Sequence, residues 1–355
     1  MTHVAFYAPM KAPDSPTPSG DREIARLTLL ALTAAGFRPE LASRLRSRDA
    51  AGDTAEQARL IALAEAEIDR LKRLWERDPP ALWFTYHCYW KAPDLIGPAL
   101  ARHFGIPYVI SEAIHSERRM AGPWADFAHR ARAALDAADL LYWTTPRDLP
   151  GLCEVARPGQ LRELPPFIDP GPAPPPGPGP DAAAGPRLLT VAMMREGDKL
   201  RSYTRLRETL GHLPRPWSLT IVGGGPAAAE VAALFAGLEG VTFHGQENDP
   251  ARMRRLYETH DLFVWPGVGE GFGMVFLEAQ AAGLPAICDN HSGPATVVPF
   301  RPLPDPADPS ALAAAIAALP RDADARAATR AHVLAHHGLD AAARSLRIQL
   351  GELMT

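Results

Sequence analysis

The segment from residue 169 to residue 186 reads DPGPAPPPGPGPDAAAGP, and it places the strongest constraint on how this chain folds. Proline lacks a backbone donor and breaks both helices and sheet ladders, so neither element can run through this segment. Proline-rich segments of this kind act as semi-rigid spacers. At about 150 residues per domain, a chain of 355 residues corresponds to two domains. We therefore predict domains at residues 1–168 and 187–355, joined by a spacer at residues 169–186.

On both sides of the spacer, short apolar runs alternate with longer helical patterns. This alternation is typical of α/β domains in which helices cover both faces of a parallel sheet. The predicted strands are VAFYA (4–8), ALWFTY (81–86), PYVIS (107–111), DLLYW (139–143), RLLTVAM (187–193), SLTIV (218–222), VTFH (241–244), DLFVW (261–265) and LPAIC (284–288). In such sheets, ligands bind beyond the carboxyl ends of the strands. We expect two Rossmann-like, doubly wound domains with a ligand site in a cleft that can close.

Composition excludes several classes of protein. The formal net charge of −4 argues against a nucleic-acid-binding protein. No apolar run reaches the roughly 18 residues that indicate a membrane span. Three cysteines far apart in the sequence indicate neither a disulfide framework nor a metal knuckle. A strand-like pattern begins at residue 3 without the marks of a signal peptide. We expect a cytoplasmic protein, with association at the inner face of the membrane as an open alternative.

The stretch WPGVGEGFGMVFLEAQAA, residues 265–282, is the strongest functional signal. It follows a predicted buried strand and places Glu270 in a glycine-rich loop and Glu278 early in the next helix. Carboxylates accept hydrogen bonds from sugar diols, whereas loop amides and a helix amino terminus favour phosphate. The pattern therefore favours a ligand with both hydroxyl and phosphate groups. The alternative is a flexible loop followed by a helix whose glutamate is solvated.

The same stretch resembles the donor-site signature of the retaining glycosyltransferases of family 4, which have the GT-B fold. The signature is a Glu-x7-Glu pair within E-G-F-G-x-x-x-x-E-A-x-A-x-G-x-P. The matching residues are Glu270, Gly271, Phe272, Gly273, Glu278, Ala279, Ala281, Gly283 and Pro285. Farther along, SGPATVV keeps a glycine of the family's next turn, Gly293, but has Thr296 where a glutamate is common.

The resemblance implies roles for residues of the second domain. Glu270 would contact hydroxyl groups of the donor sugar, and Glu278 would hold the nucleotide ribose. In VAMMREGDKLRSY, Arg195 and Lys199 would grip the donor diphosphate and stabilise the charge that grows on it during transfer. The remaining donor-side candidates are the loop residues Gly20, Gly223, Gly224, Gly271, Phe272 and Gly273. The loop HGQEN at residues 244–248 is where a nucleotide base would be read.

The resemblance is thinner in the first domain. Ser19 and Gly20 would lie near the donor phosphates or the acceptor, with Asp21 as the N-cap of the first helix. After PYVIS the family often carries a histidine, and this chain has EAIHSERR, so Glu112 or His115 would face the acceptor. A structural role is the alternative for His115, and it also applies to His87.

Other features of the first domain leave alternatives open. Aromatic residues cluster around Tyr89 and Trp90 beside Lys91, and they would form either an acceptor platform or strand core. The full aromatic set is Trp83, Phe84, Tyr86, Tyr89 and Trp90. Arg118 and Arg119 would suit a loop at a membrane surface. The last helix, near AAARSLRIQLGEL, would pack back on the first domain.

Other chemistries fit less well. The segment TIVGGGPAAAEV matches a loose dinucleotide fingerprint through Gly223, Gly225 and Ala228, but no acid ends the next strand to hold a ribose. Asp322 and Asp324 follow a proline at a helix start, which indicates capping rather than metal binding. We therefore predict no metal ion and no cofactor.

The sequence thus predicts a retaining, metal-independent glycosyltransferase that uses a nucleotide-diphosphate sugar. Its acceptor would be a hydroxyl group of a glycan, glycolipid or small molecule, in bacterial-type glycan or glycolipid synthesis. Two alternatives stay open: a sugar-nucleotide epimerase or phosphorylase on the same fold, and a non-catalytic sugar-nucleotide-binding protein.

Overall fold

The computed structural model describes residues 1–17, 19–174 and 185–354. The chain forms two compact units, one made of Met1–Pro165 with Leu339–Thr355 and the other of Pro166–Gly338. Only the ends of the predicted spacer, residues 169–174 and 185–186, are described, and residues 175–184 lie outside the described part. Within that part, no helix combines the length and apolar character needed to cross a membrane.

The first unit is built around one parallel sheet. Its elements in chain order are β1 (Thr2–Tyr7), α1 (Gly20–Ala34), β2 (Phe37–Ser43), α2 (Thr54–Leu74), β3 (Leu82–Cys88), α3 (Gly97–Phe104), β4 (Tyr108–Ala113), α4 (Ala125–Ala137), β5 (Leu140–Trp143), α5 (Leu149–Cys153) and β6 (Leu161–Glu163). The strand order is β2-β1-β3-β4-β5-β6, and all pairs are parallel. The loops that follow β1 to β5 therefore gather at one edge of the sheet.

The second unit repeats this construction. Its elements are β7 (Arg187–Val191), α6 (Asp198–His212), β8 (Ser218–Val222), α7 (Ala228–Leu234), β9 (Val241–Gly245), α8 (Pro250–Thr259), β10 (Leu262–Val264), α9 (Met274–Ala281), β11 (Ala286–Ile287), α10 (Pro309–Ala318) and α11 (Ala323–His336). The order β11-β10-β7-β8-β9 is again parallel throughout. Asp322 caps α11 by accepting a hydrogen bond from the Ala325 amide at 2.8 Å, as the capping interpretation predicted.

The last helix, α12 (Leu339–Leu353), lies in the first unit and packs against α1. The chain passes from one unit to the other twice, after Pro165 and after Gly338. The segments of the second unit next to these two points lie side by side. The Ile168 amide donates to the His337 carbonyl at 2.8 Å, and Nδ1 of His337 lies 2.7 Å from the Pro166 carbonyl oxygen. The chain thus enters and leaves the second unit at neighbouring points.

The predicted fold class is confirmed, since all nine predicted strands are present. Two strands were missed, β2 and β6, and both are sheet edges. β2 has four exposed or partly exposed residues, one of which is Pro39, and β6 has no buried residue. An edge strand is covered less completely than a central one, so its sequence lacks the continuous apolar run used to find strands. Among the predicted aromatic residues, Trp83, Phe84 and Tyr86 belong to the buried core, whereas Tyr89 and Trp90 lie beyond β3 and are only partly buried.

Candidate functional site

The glycine-rich loop between β10 and α9 holds Glu270 in a fixed environment. Trp265 Nε1 donates a hydrogen bond to Glu270 Oε1 at 2.9 Å. Lys199, from the start of α6, forms an ion pair with the same oxygen, and its Nζ lies 5.6 Å from the centre of the Trp265 ring. The Glu270 side chain is only 14% exposed. The structure therefore brings together two predicted residues that are far apart in the sequence.

Two glycines of this loop have conformations or contacts that exclude other residues. Gly269 has a φ of 66°, and a β-carbon there would collide with the Asp198 carboxylate. A β-carbon on Gly293, from the next loop, would collide with the backbone of Glu270 and Gly271. The position of Gly271 itself is open, with no atom within 4 Å of where its β-carbon would be. Packing thus fixes the loop on both sides of Glu270 and leaves Gly271 uncovered in the unit.

Arg195 is placed differently from Lys199. It is exposed in the loop between β7 and α6, and none of the described residues forms an ion pair or hydrogen bond with it. Gly197, with a φ of 77°, redirects the chain between Arg195 and the helix. A pairing of Arg195 with the diphosphate stays a prediction.

Glu278 lies in α9 and lines a pocket of about 420 Å³ within the second unit. The Tyr257 hydroxyl donates a hydrogen bond to Glu278 Oε2 at 2.8 Å. Burial raises the pKa of Tyr257 well above its usual value, and the neighbouring Glu278 carboxylate adds to the rise, so this hydroxyl stays a donor. Glu247 and Asn248, from the predicted base-reading loop, line the same pocket. Its volume is within the range of small-molecule sites.

The glycines after β8 have a packing explanation. A β-carbon at Gly223 or Gly225 would collide with the carbonyl oxygen of Ala192 or Met194, respectively. The Gly223 amide already donates to the Gly245 carbonyl at 2.9 Å. Close approach of two loops therefore requires these glycines, and contacts of Gly223 and Gly224 with a nucleotide stay a prediction.

A second polar cluster lies in the first unit, at the carboxyl ends of the strands. Its geometry shows that one prediction is wrong. The N-cap of α1 is Ser19, whose hydroxyl accepts from the Arg22 amide at 3.2 Å, and not Asp21. Asp21 lies in the first turn instead, with Oδ1 at 3.1 Å from His87 Nδ1. Gly20, the first residue of α1, is open on its β-carbon side. Ser19 is the N-cap because its backbone is extended and the helix begins at the next residue, Gly20.

His87 and Glu112 are the two non-glycine residues with positive φ in the described part of the chain, at 60° and 52°. They occupy matching positions on neighbouring strands, because Tyr86 lies opposite Ser111 and Cys88 opposite Ala113. Such backbone strain, of order 1–3 kcal/mol per residue, is concentrated at functional sites. The strain therefore marks this point of the sheet edge as a candidate site.

The electrostatics of the cluster favour the protonated form of the imidazole. Burial alone would lower the pKa of His87, but the carboxylates of Glu112 and Asp21 outweigh burial, and the pKa is raised. Burial raises the pKa of Glu112, against the opposing effect of His87. The buried Tyr86 hydroxyl lies beside Glu112, and its hydrogen bond to that carboxyl also opposes the rise in the pKa of Glu112. Asp21, His87 and Glu112 thus form a compact group able to donate to and accept from ligand hydroxyls.

His115 is not part of this group. Its side chain is only 4% exposed, and its Nε2 lies 3.3 Å from Glu117 Oε2. No contact with Glu112 is found in the described part of the chain. Sequence reasoning thus named Glu112 as an acceptor-side candidate but set against His87 the alternative of a structural role, although a histidine at a strand end preceding a loop was a signal for it. It also missed Tyr257, which the sequence shows only as an ordinary helix residue. Across the described ranges, no group of three or more His, Cys, Asp or Glu residues is arranged to hold a metal ion.

Comparisons with known proteins show similarity to glycosyltransferases. Residues 185–322 match the family model "Glycosyl transferases group 1", which includes Lys199, Glu270 and Glu278. Over 102 residues the chain is 29% identical to sulfoquinovosyl transferase SQD2 of Arabidopsis thaliana, covering 28% of this chain and 19% of that protein. The chain spans between 16% and 24% of the length of the curated relatives it matches.

Solved structures are similar over the whole chain. Sucrose-phosphate synthase of Thermosynechococcus elongatus has a TM-score of 0.68 at 20% identity, covering 99% of both chains. HepE of Anabaena in complex with UDP has a TM-score of 0.69 at 13% identity, covering 99% of this chain and 100% of that one. At these identities the likeness establishes the fold alone. This chain therefore has the GT-B fold of glycosyltransferases, and its second unit carries the match to the group 1 glycosyl transferases.

Proposed function

We propose that the protein is a retaining glycosyltransferase that uses a nucleoside-diphosphate sugar. The observation that carries the proposal is Glu278, which lines the pocket of about 420 Å³ and is held there by Tyr257. The carboxylate accepts hydrogen bonds from the ribose hydroxyls, and the neighbouring loop with Glu247 and Asn248 contacts the base. Uridine diphosphate is the first nucleotide to test, since a protein of the same fold is known in complex with UDP.

In the proposed reaction, the bond between the sugar C1 and the diphosphate oxygen breaks, and a bond from C1 to the acceptor oxygen forms on the same face. The proton of the acceptor hydroxyl passes to the released diphosphate. Lys199 and Arg195 stabilise the negative charge that grows on the diphosphate, and Glu270 holds hydroxyl groups of the sugar. Charge stabilisation of this kind commonly contributes more to catalysis than any other single effect. No metal ion takes part in this proposal.

The acceptor side of the proposal rests on Asp21, His87 and Glu112 in the first unit. The His87 ring donates a hydrogen bond from Nε2 to an oxygen of the acceptor, and the Glu112 carboxyl accepts one from a hydroxyl. Asp21 holds the ring through Nδ1 and leaves Nε2 for the ligand. Recognition by paired donors and acceptors is what a polyol requires.

The test is a thermal-shift and calorimetric titration of the full chain with UDP, GDP and ADP. A ligand at a hundred times its dissociation constant stabilises the folded state by about 2.7 kcal/mol. We expect one nucleotide to bind the wild type and to bind Glu278→Ala at least tenfold more weakly, which is about 1.4 kcal/mol. The matched control is Glu208→Ala, an exposed glutamate on α6 in the same unit.

If no nucleotide binds, or if both variants bind equally, the donor site is wrong. If the nucleotide sugar is consumed but its sugar reaches only a new epimer or inorganic phosphate, the protein is an epimerase or phosphorylase instead. Retention is checked by the anomeric configuration of the product in NMR spectra.

A further inference from the structure

Three loops of the first unit, those after β2, β3 and β4, meet at Asp49. The Asp49 amide donates to the Lys91 carbonyl at 2.9 Å, and Trp124 Nε1 donates to the Asp49 carbonyl at 3.2 Å. Between these anchors, Tyr89 and Ala92 form a tight antiparallel bridge, which places Trp90 and Lys91 at the tip of a turn. These backbone contacts therefore fix the positions from which the side chains of Trp90, Lys91 and Trp124 extend.

The side chains at this junction alternate cations with aromatic rings. Lys91 Nζ lies 4.7 Å from the centre of the Trp124 ring. The Arg119 guanidinium lies 5.7 Å from that ring and 5.5 Å from the Trp90 ring. All four side chains are partly buried. Cation–π contacts of this kind hold the cations in place and leave N–H groups for other partners.

Two more arginines continue the group along the loop after β2. Arg46 Nε donates to the Met10 carbonyl at 3.0 Å. Tyr89 connects them to the rest, since its ring centre lies 5.2 Å from that of Trp90. Burial raises the pKa of Tyr89, and Arg48, through a side-chain hydrogen bond and its charge, opposes that rise together with the charge of Arg46. We call the following residues the cation–aromatic cluster: Arg46, Arg48, Tyr89, Trp90, Lys91, Arg119 and Trp124.

The positive charge of the cluster is not neutralised by the first unit. No ion pair within the described ranges joins Arg46, Arg48, Lys91 or Arg119 to a carboxylate. The acid at the junction, Asp49, is used elsewhere. Its carboxylate accepts from the amides of Ala51 and Gly52 at 2.9 and 3.1 Å and from the Gln57 side chain at 2.8 Å.

Several donors of the cluster also have no acceptor. Nε of Arg48, Nε of Arg119 and Nε1 of Trp90 are buried atoms without a hydrogen-bond partner in the described part of the chain. Leaving a buried donor without an acceptor is unfavourable. Three such donors and four cations without an ion pair in the described part of the chain favour binding of a ligand that brings several acceptor oxygens and negative charge.

We propose that the cation–aromatic cluster binds a phosphate group, and that the acceptor of the proposed transfer is therefore a phosphate ester. A guanidinium fork matches phosphate oxygens in geometry as well as charge, and a lysine adds a point charge. That the bound phosphate ester is an acceptor rests on the proposed function. Phosphate binding itself does not depend on the donor site.

Sugar phosphates and phospholipid headgroups share this chemistry, so the experiment has one arm for each source. The full chain is saturated with the nucleotide found in the donor screen, which occupies the second unit. One arm titrates glucose 6-phosphate and glucose by calorimetry. The other arm measures flotation with vesicles of phosphatidylcholine alone and with added phosphatidylglycerol.

The variants are Arg119→Gln and Lys91→Gln, so that the test survives if one of them fails to fold. The matched control is Arg130→Gln, which removes one positive charge from an exposed arginine on α4 paired with Asp126. We expect the wild type to bind glucose 6-phosphate at least tenfold more tightly than glucose, or anionic vesicles in preference to neutral ones. Both cluster variants should reduce that preference about tenfold, whereas the control should keep it, because only the cluster cations contact phosphate.

The proposal is overturned if neither phosphate probe is preferred, or if Arg130→Gln weakens binding as much as the cluster variants do. Binding of the sugar phosphate alone identifies a soluble acceptor, and binding of the vesicles alone identifies a lipid acceptor. Nucleotide binding is measured in the same samples. If phosphate binds and no nucleotide does, the donor assignment fails while the phosphate site stands. The reverse result rejects the phosphate site alone.

Discussion

The two polar clusters of this protein differ in how the chain assembles them. In the second unit, Glu270 and Glu278 come from one continuous stretch, and Lys199 joins them from the neighbouring strand end. In the first unit, Asp21 comes from the first turn of α1, whereas His87 and Glu112 come from the ends of β3 and β4, and each is unremarkable in its local sequence. The first arrangement is visible as a motif. The second exists only once the sheet order places β1, β3 and β4 side by side.

The clusters also differ in how their residues are stabilised. Glu270 and Glu278 each accept hydrogen bonds from a neighbouring side chain, and their backbones are ordinary because glycines take the unusual angles. His87 and Glu112 themselves adopt positive φ. Glu270 and Glu278 therefore take up their positions without backbone strain of their own. His87 and Glu112 do so with strained backbones. This contrast makes three predictions, beyond those of the binding experiments.

The largest effect is expected for Lys199→Ala. The change removes the cation beside Glu270, and losing one charge-stabilising group of an active site lowers turnover about 10²- to 10³-fold. Initial rates of nucleotide-sugar turnover at saturating donor measure it. Arg201→Ala is the control, because it removes a cation from the same helix whose partner, Asp198, is exposed. Equal rates for Lys199→Ala and the wild type would remove Lys199 from the reaction.

A smaller effect, with the opposite sign for stability, is expected for Glu112→Gly. Glycine relieves the strain at a φ of 52°, and it removes a carboxyl whose raised pKa disfavours the folded state above its unfolded pKa. The free energy of unfolding should rise by about 1 kcal/mol, while turnover falls. Urea unfolding at neutral pH measures the change. Ser111→Gly, one residue earlier in the same strand, should lower stability instead, and a loss of stability in both variants would contradict the strain argument.

The smallest effect is a change of slope with pH in His87→Gln. The pKa of His87 is raised in the folded state, so its contribution to stability is complete below the unfolded value near 6.5 and is lost as the pH rises through the folded value. The variant should therefore be less stable than the wild type at about pH 6, and the difference should narrow towards about pH 9. Urea unfolding across this range tests it. A difference that is constant with pH would show that the carboxylates do not hold the imidazole charged.

The sequence was sufficient for the central strands and for the donor-side motif, since both depend on neighbours along the chain. Apolar runs identified the buried strands, whereas the edge strand β2, with Pro39 and its partly exposed side chains, offered no such run. The Asp21 prediction failed for a related reason. Serine and aspartate both suit an N-cap, and only the structure shows that α1 begins at Gly20, directly after Ser19.

Positive φ was equally beyond the sequence. Nothing in TYHCYW or VISEAI distinguishes His87 or Glu112 from strand residues with ordinary angles. The Tyr257–Glu278 contact required α8 and α9 to be packed side by side. Long-range pairing of this kind depends on tertiary structure, which single-sequence patterns do not contain.

The placement of α12 has a consequence for the order in which this protein folds during synthesis. The second unit is an insertion in the first, because residues 339–353 leave the ribosome after Gly338 but complete the unit that began at Met1. The second unit is therefore fully synthesised before the first. Its neighbouring entry and exit points let it fold before α12 has been made. The first unit must instead keep the surface of α1 that receives α12 uncovered until residues 339–353 have been made. Nascent chains that stop near residue 338 should therefore present that surface to chaperones.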